Sequence, residues 1–130
     1  MMPPTKIVTY QDDDIDVRLV IARADIRAGM RRTRLQLDAD AHDKGKKARR
    51  DDPDVRLLRR FTYPDLMAAT VEASGIPWPL AFEDYLALPE RLGLAWEQAV
   101  YELNPHWLPP ASEEAASEEK KEPARNSTAA

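Results

Sequence analysis

The sequence predicts a mainly α fold: a small helical domain carrying a short N-terminal β-hairpin and followed by a disordered C-terminal tail. Three observations predict it. From Asp25 to Asn104, apolar residues recur mostly at helical spacing between proline and glycine punctuation. The β-branched residues cluster before Ala22 around an Asp12, Asp13, Asp14 turn. After Leu108 no large apolar residue occurs, so residues 111–130 cannot offset an ordering cost of about 1 to 2 kcal/mol per residue. The domain is therefore placed at residues 1–110 and the acidic tail at 111–130.

Lys6 to Tyr10 and Ile15 to Ala22 alternate in part and flank the aspartate turn, which predicts the hairpin. From Asp25, a suitable N-cap, the residues Ile26, Met30, Thr33, Leu37 and Ala41 fall at steps of four, three, four and four. That spacing predicts a helix with this face inward and Arg27, Arg31 and Arg34 flanking it. The helix fades by Gly45, in a charged stretch that reads either as a solvated loop or as a frayed end. Pro53 opens a second short helix through Val55, Leu57, Leu58 and Phe61, because proline is tolerated where the first backbone donors are unpaired.

Thr62, Tyr63 and Pro64 restart a helix expected to run to Ser74, with Leu66, Met67, Thr70 and Val71 inward and Gly75 as its stop. Ile76-Pro77-Trp78-Pro79 forms a stiff connector, since two prolines lack the amide donor and restrain their predecessors. Leu80 to Leu88 reads as a helix. Pro89 begins the last one, whose inward face is Leu92, Trp96, Ala99 and Leu103, and Pro105 ends it. Trp107 and Leu108 are placed to fold back on that helix end.

Charge is unevenly spread. Residues 1–60 carry 15 Lys or Arg against 11 Asp or Glu, whereas residues 61–110 carry 1 against 7. Opposite-sign halves attract within one molecule or between copies packed head to tail, over a range of about 8 Å at physiological salt. Self-association is accordingly expected. The absence of cysteine removes disulfide and thiolate chemistry and fits a reducing compartment. The first residues lack a signal-peptide pattern, and no run approaches the roughly 18 apolar residues of a membrane span. A soluble intracellular protein is the expectation.

No catalytic set is apparent, so no enzyme activity, cofactor or metal is expected. His42 and His106 each lack a second histidine at ligand spacing, and the pairs Glu83 with Asp84 and Glu90 with Glu97 read as exposed helix carboxylates. Eight of the nine aromatics lie between Phe61 and Trp107, which puts the aromatic mass of any core or partner surface in the second half. Trp96 is read as core. Trp78 and Trp107, each beside a proline at a helix boundary, fit either core or a half-exposed interface role. The candidate partner-binding residues are Trp78, Phe82, Tyr85, Tyr101 and Trp107. Arg27, Arg31 and Arg34 could instead follow a phosphate backbone, but acids interleave the basic residues and no aromatic lies between Gln11 and Arg60 to stack bases.

Two blocks, GMRRTRL at residues 29–35 and FEDYLALPERLGLAWEQAVYELNPHW at residues 82–107, resemble the short tail assembly chaperones of long-tailed phages and prophages. The resemblance spans about two-thirds of the chain and is more specific in the second block. It implies a small, mostly helical, acidic-tailed protein without catalytic residues. Such proteins self-associate, coat the hydrophobic tape measure protein in the host cytoplasm while the tail tube polymerises, and are absent from the finished virion. It also implies a longer form made by a minus-one ribosomal frameshift, for which Glu119-Lys120-Lys121 can be encoded as a slippery run. Two other readings stay open: a nucleic-acid-binding or regulatory protein using the arginine face, and a head-to-tail connector kept in the virion. If the tail is outside the folded unit, a chain truncated after Pro110 keeps its helical circular dichroism and melting temperature; a large fall in either shows that residues 111–130 pack on the domain.

Overall fold

The computed structural model of the chain describes residues 4–45 and 52–108. The hairpin forms as the sequence predicts, from β1 (Thr5–Gln11) and β2 (Asp16–Ala22). The carboxylate of Asp12 closes the turn by accepting from the backbone amides of Asp14 and Ile15 at 2.8 and 2.9 Å. Register pairs Val8 with Leu19 and Tyr10 with Val17, so Val8, Val17, Leu19 and Ile21 share the core face while Ile7, Thr9 and Arg18 face outward.

A third strand was not expected. The segment 70–74, read from sequence as the end of a helix, is strand β3 (Thr70–Ser74), antiparallel to β2, and the sheet order is β1-β2-β3. Without it the outer edge of β2 would leave its amides and carbonyls unpaired, and the ladder satisfies them; Thr70 and Val71, both β-branched, suit the extended backbone. The register slips between Val20 and Ile21, and Val71 falls in the irregularity, turned outward and half exposed at 52%. Gly75 therefore ends a strand rather than a helix. Its φ of 88° is left-handed, and a Cβ there would sit 1.9 Å from the carbonyl oxygen of Asp16. With about 58% helix and 19% strand among the described residues, the fold is helical with a sheet that contributes Val8, Val17, Leu19 and Ile21 to the core.

Helix α1 (Ile26–Asp43) starts at Asp25, whose carboxylate accepts from the amide of Ala28 at 2.8 Å as the capping reading predicts. Its inward face is the reverse of the expected one. Ala28 and Ala39 are buried, and Arg32 and Leu35 complete that face, whereas Ile26, Met30 and Leu37 are 85%, 67% and 63% exposed. The cause is polar: the Arg32 guanidinium is drawn inward onto the buried carboxylate of Asp65, and small alanines above and below let the helix approach closely.

Helix α2 (Pro53–Leu57), capped by Asp52, runs into a π-helical turn at Leu58–Thr62 and on into α3 (Tyr63–Ala69). Sequence suggested two helices with a restart near Thr62. The chain instead stays wound, and Tyr63 donates to the carbonyl of Leu58, five residues back. Pro64 explains the widening, because it supplies no amide hydrogen and its ring would clash with a carbonyl in the α register. The connector 76–79 is non-helical, as expected, with a cis Trp78–Pro79 bond. Helix α4 is shorter than predicted, at Phe82–Leu86.

Helix α5 (Glu90–Leu103) buries the face assigned to it: Leu92, Trp96, Ala99 and Leu103, with Val100 beside them. A 3-10 turn at Pro105–Trp107 folds Trp107 back onto the domain, while Leu108 stays 42% exposed. The core lies between the inner sheet face, α3 and α5, with Trp96 fully buried at its centre. The indole of Trp96 donates to the Thr70 hydroxyl at 2.8 Å, and that hydroxyl donates to the carbonyl of Leu66 at 2.7 Å, which ties α5 to the junction of α3 and β3. The tail lies outside the described residues. Trp96→Ala should cost about 3 to 5 kcal/mol and leave most of the chain insoluble; a soluble variant with an unchanged melting temperature would contradict this packing.

Candidate docking groove

An open groove of about 950 Å³ runs between α1, α3, the start of β3 and the proline connector. Arg27, Met30, Arg31, Arg34 and Leu35 form its α1 side, and Tyr63, Met67, Thr70 and Leu80 form the floor. Val71, Trp78 and Pro79 form the opposite wall. Met67, Thr70 and Leu80 are buried beneath it, so the floor belongs to the rigid core, whereas Met30, Val71 and Trp78 expose apolar surface at the rim. Ile26 and Leu37 extend the apolar strip along α1 on the face they share with Met30.

The groove is braced from below. The Tyr63 hydroxyl donates to the carbonyl of Leu80, pinning the connector to α3, and one amino group of Arg31 donates to the carbonyl of Ala68 at 2.9 Å. Aromatic rings then step inward from the wall. Trp78 lies 6.4 Å from Trp96, which meets Tyr85 edge-on at 6.3 Å; Tyr85 is 5.7 Å from Tyr63, and Tyr63 meets Phe82 edge-on at 5.2 Å. Arg59 covers Phe82 at 4.4 Å from its centroid.

Of the five aromatic candidates, only Trp78 presents a substantial exposed ring, at 37%. Phe82 is half-buried under Arg59. Tyr85 and Trp107 are buried, at 7% and 5%, and act as core residues in this structure; a partner cannot reach them without opening the fold. Trp107 is drawn in because the turn after Pro105 lays it against the Arg32 guanidinium, 4.8 Å from the ring centroid. Tyr101 is half-buried, and its hydroxyl donates to the carboxylate of Asp65 at 2.7 Å. Trp78 lines the groove and Phe82 and Tyr85 belong to the aromatic series behind it, while Tyr101 and Trp107 belong to the polar junction of α1, α3 and α5.

Arg27, Arg31 and Arg34 do come together, along the α1 side of the groove. Sequence reasoning missed Met30 and Val71 as surface residues by assigning both inward. A signal was present: α1 carries two apolar stripes, one of small residues with Leu35 and one of Ile26, Met30 and Leu37, and a helix at a surface can bury only one. Among the described residues no group of three or more His, Asp or Glu could hold a metal ion, and no helix is long and apolar enough to cross a membrane.

Fold and groove together define a small α+β scaffold that presents a basic-edged apolar surface. No protein family, no curated protein and no solved structure matches the chain.

The phenols around this site carry a pH signature. Burial pushes Tyr63, Tyr85 and Tyr101 above the ordinary value of 10.0, with the charge of Glu97 adding to Tyr85 and that of Asp65 to Tyr101. The folded protein therefore keeps protons that the unfolded chain releases as pH rises past that value. Stability should be intact below about pH 10 and fall above it, by up to about 1.4 kcal/mol per pH unit for each of Tyr85 and Tyr101 and by less for the half-buried, solvent-screened Tyr63. Tyrosinate absorbance should rise together with loss of circular dichroism; ionisation of all four tyrosines near pH 10 in a still-folded protein would overturn the assignment.

Proposed function

We propose that this protein is a non-enzymatic tail assembly chaperone of a long-tailed phage or prophage, which binds apolar helical segments of a tape measure protein and keeps them soluble during assembly. The observation that carries the reading is the open apolar groove whose rim leaves Met30, Val71 and Trp78 exposed on a rigid floor. A partner helix laid there covers surface that no described part of this chain covers, at about 25 cal/mol for each Å² of apolar area removed from water. The charged faces of the domain and the acidic residues 111–130 keep such a complex dispersed. The resemblance of residues 82–107 to these chaperones points the same way. On this reading the protein acts in the host cytoplasm, self-associates through its oppositely charged halves, and leaves before the virion is complete.

Co-expression with the tape measure protein of the same genome should move that protein into the soluble fraction and yield a complex that co-purifies. Trp78→Ala should weaken the complex by about 2 kcal/mol with the fold intact. Equal aggregation with and without this chain, and no complex, would overturn the proposal. Its detection in purified particles would instead indicate a connector retained in the virion.

A further inference from the structure

The groove has a charge as well as a shape. Arg27, Arg31 and Arg34 stand at i, i+4 and i+7 on α1, successive steps of about 6 and 4.5 Å along the helix axis. All three are exposed. Among the described residues, Arg32, Arg56, Arg59 and Arg60 each face an acid, namely Asp65, Asp43, Glu83 and Asp40. Among the same described residues Arg27, Arg31 and Arg34 make no ion pair, and no described acidic residue lines the groove. A protein of net charge -4 thus sets three arginines that pair with no described carboxylate along one edge of its exposed apolar cleft.

The geometry points to one class of occupant: an amphipathic α-helix whose apolar side packs on Met67 and Leu80 of the floor and on Trp78 of the wall, and whose α1-facing side carries carboxylates at helical spacing. Rods with the same rise per residue place acids at i, i+4 and i+7 opposite the three guanidinium groups, each a forked donor suited to a carboxylate. Nucleic acid fits worse. The floor and far wall are apolar, and Trp78 alone offers an exposed ring, where single-strand binders use successive stacking platforms. Residues 111–130 supply acids but no large apolar side chain, and so meet only half of the requirement. The inference rests on the chaperone reading for a helical client and adds a rule for which helices are accepted.

Two synthetic helical peptides of identical apolar face test the rule, one flanked by glutamates and one by lysines, titrated into the full-length protein by calorimetry at low and high salt. The glutamate peptide should bind at least about tenfold tighter at low salt, against the sign of the net charge, and the gap should shrink as salt screens the pairs. The double variant Arg27→Glu, Arg34→Glu, at two exposed positions, should reverse the preference. Met30→Ala, which removes apolar rim surface without changing charge, should weaken the glutamate peptide at unchanged melting temperature.

Equal binding of both peptides, or a preference that survives the charge reversal, overturns the inference. So does an oligothymidine that displaces the glutamate peptide, which would reassign the arginines to phosphate. Co-expression separates the two levels: a solubilised tape measure protein with no peptide discrimination removes only the charge rule. Peptide discrimination without solubilisation leaves the groove's preference standing and removes the chaperone reading.

Discussion

The carboxylate of Asp65 is the point on which the arrangement of helices turns. It is 1% exposed on α3 and is held by Arg32 from α1 and by Tyr101 from α5, so three helices meet at one buried charge. Burial pushes its pKa up, while the bonds from Arg32 and Tyr101 and the nearby Arg32 charge pull it down; burial is the larger effect. A buried acid with only one partner would be costly, and removing either partner leaves a desolvated group behind. The junction therefore fixes orientation more than it adds net stability. Trp107, stacked beside the same guanidinium, closes it from the end of α5.

Asn104 plays the corresponding part at the sheet. Fully buried, it accepts from the amide of Ala24 at 2.8 Å and donates to the carbonyls of Ala22 and Val100 at 3.2 and 3.1 Å. The end of β2 is thereby joined to the end of α5 just before α1 begins. With the entry to α1 fixed by Asn104 and its rotation fixed by Asp65, Ile26, Met30 and Leu37 must point away from the core. The groove is a consequence of that rotation: its apolar edge exists because Arg32 and two alanines occupy the inward face.

The proposed binding role rests on the make-up of the groove. Its wall and floor are apolar, its polar groups are spent on backbone carbonyls beneath it, and its exposed cations form a line along one edge rather than converging on a point. Such an arrangement suits an extended surface better than a small ligand. The aromatic series from Trp78 through Trp96 to Tyr85 and Tyr63 gives the groove a stiff backing, so the proposed docking would require little ordering of this chain.

Local chemistry was legible in the sequence. The Asp12 turn, the Asp25 cap, the proline-bounded connector and the inward face of Leu92, Trp96, Ala99 and Leu103 each depend on neighbours within a few residues, and each appears where the spacing places it. What the tertiary structure decided depends on partners far along the chain. Residues 70–74 are a strand because the edge of β2 needs a ladder, although their local pattern continues a helix. Tyr85 and Trp107 are core because the helices converge on them. The face of α1 was undecidable locally, since two apolar stripes of similar period compete; Asp65, thirty-three residues from Arg32, breaks the tie. The three arginines were visible as a pattern, but only the fold sets them beside Met30 and Trp78, because a helix pattern states which residues share a face and not what that face meets.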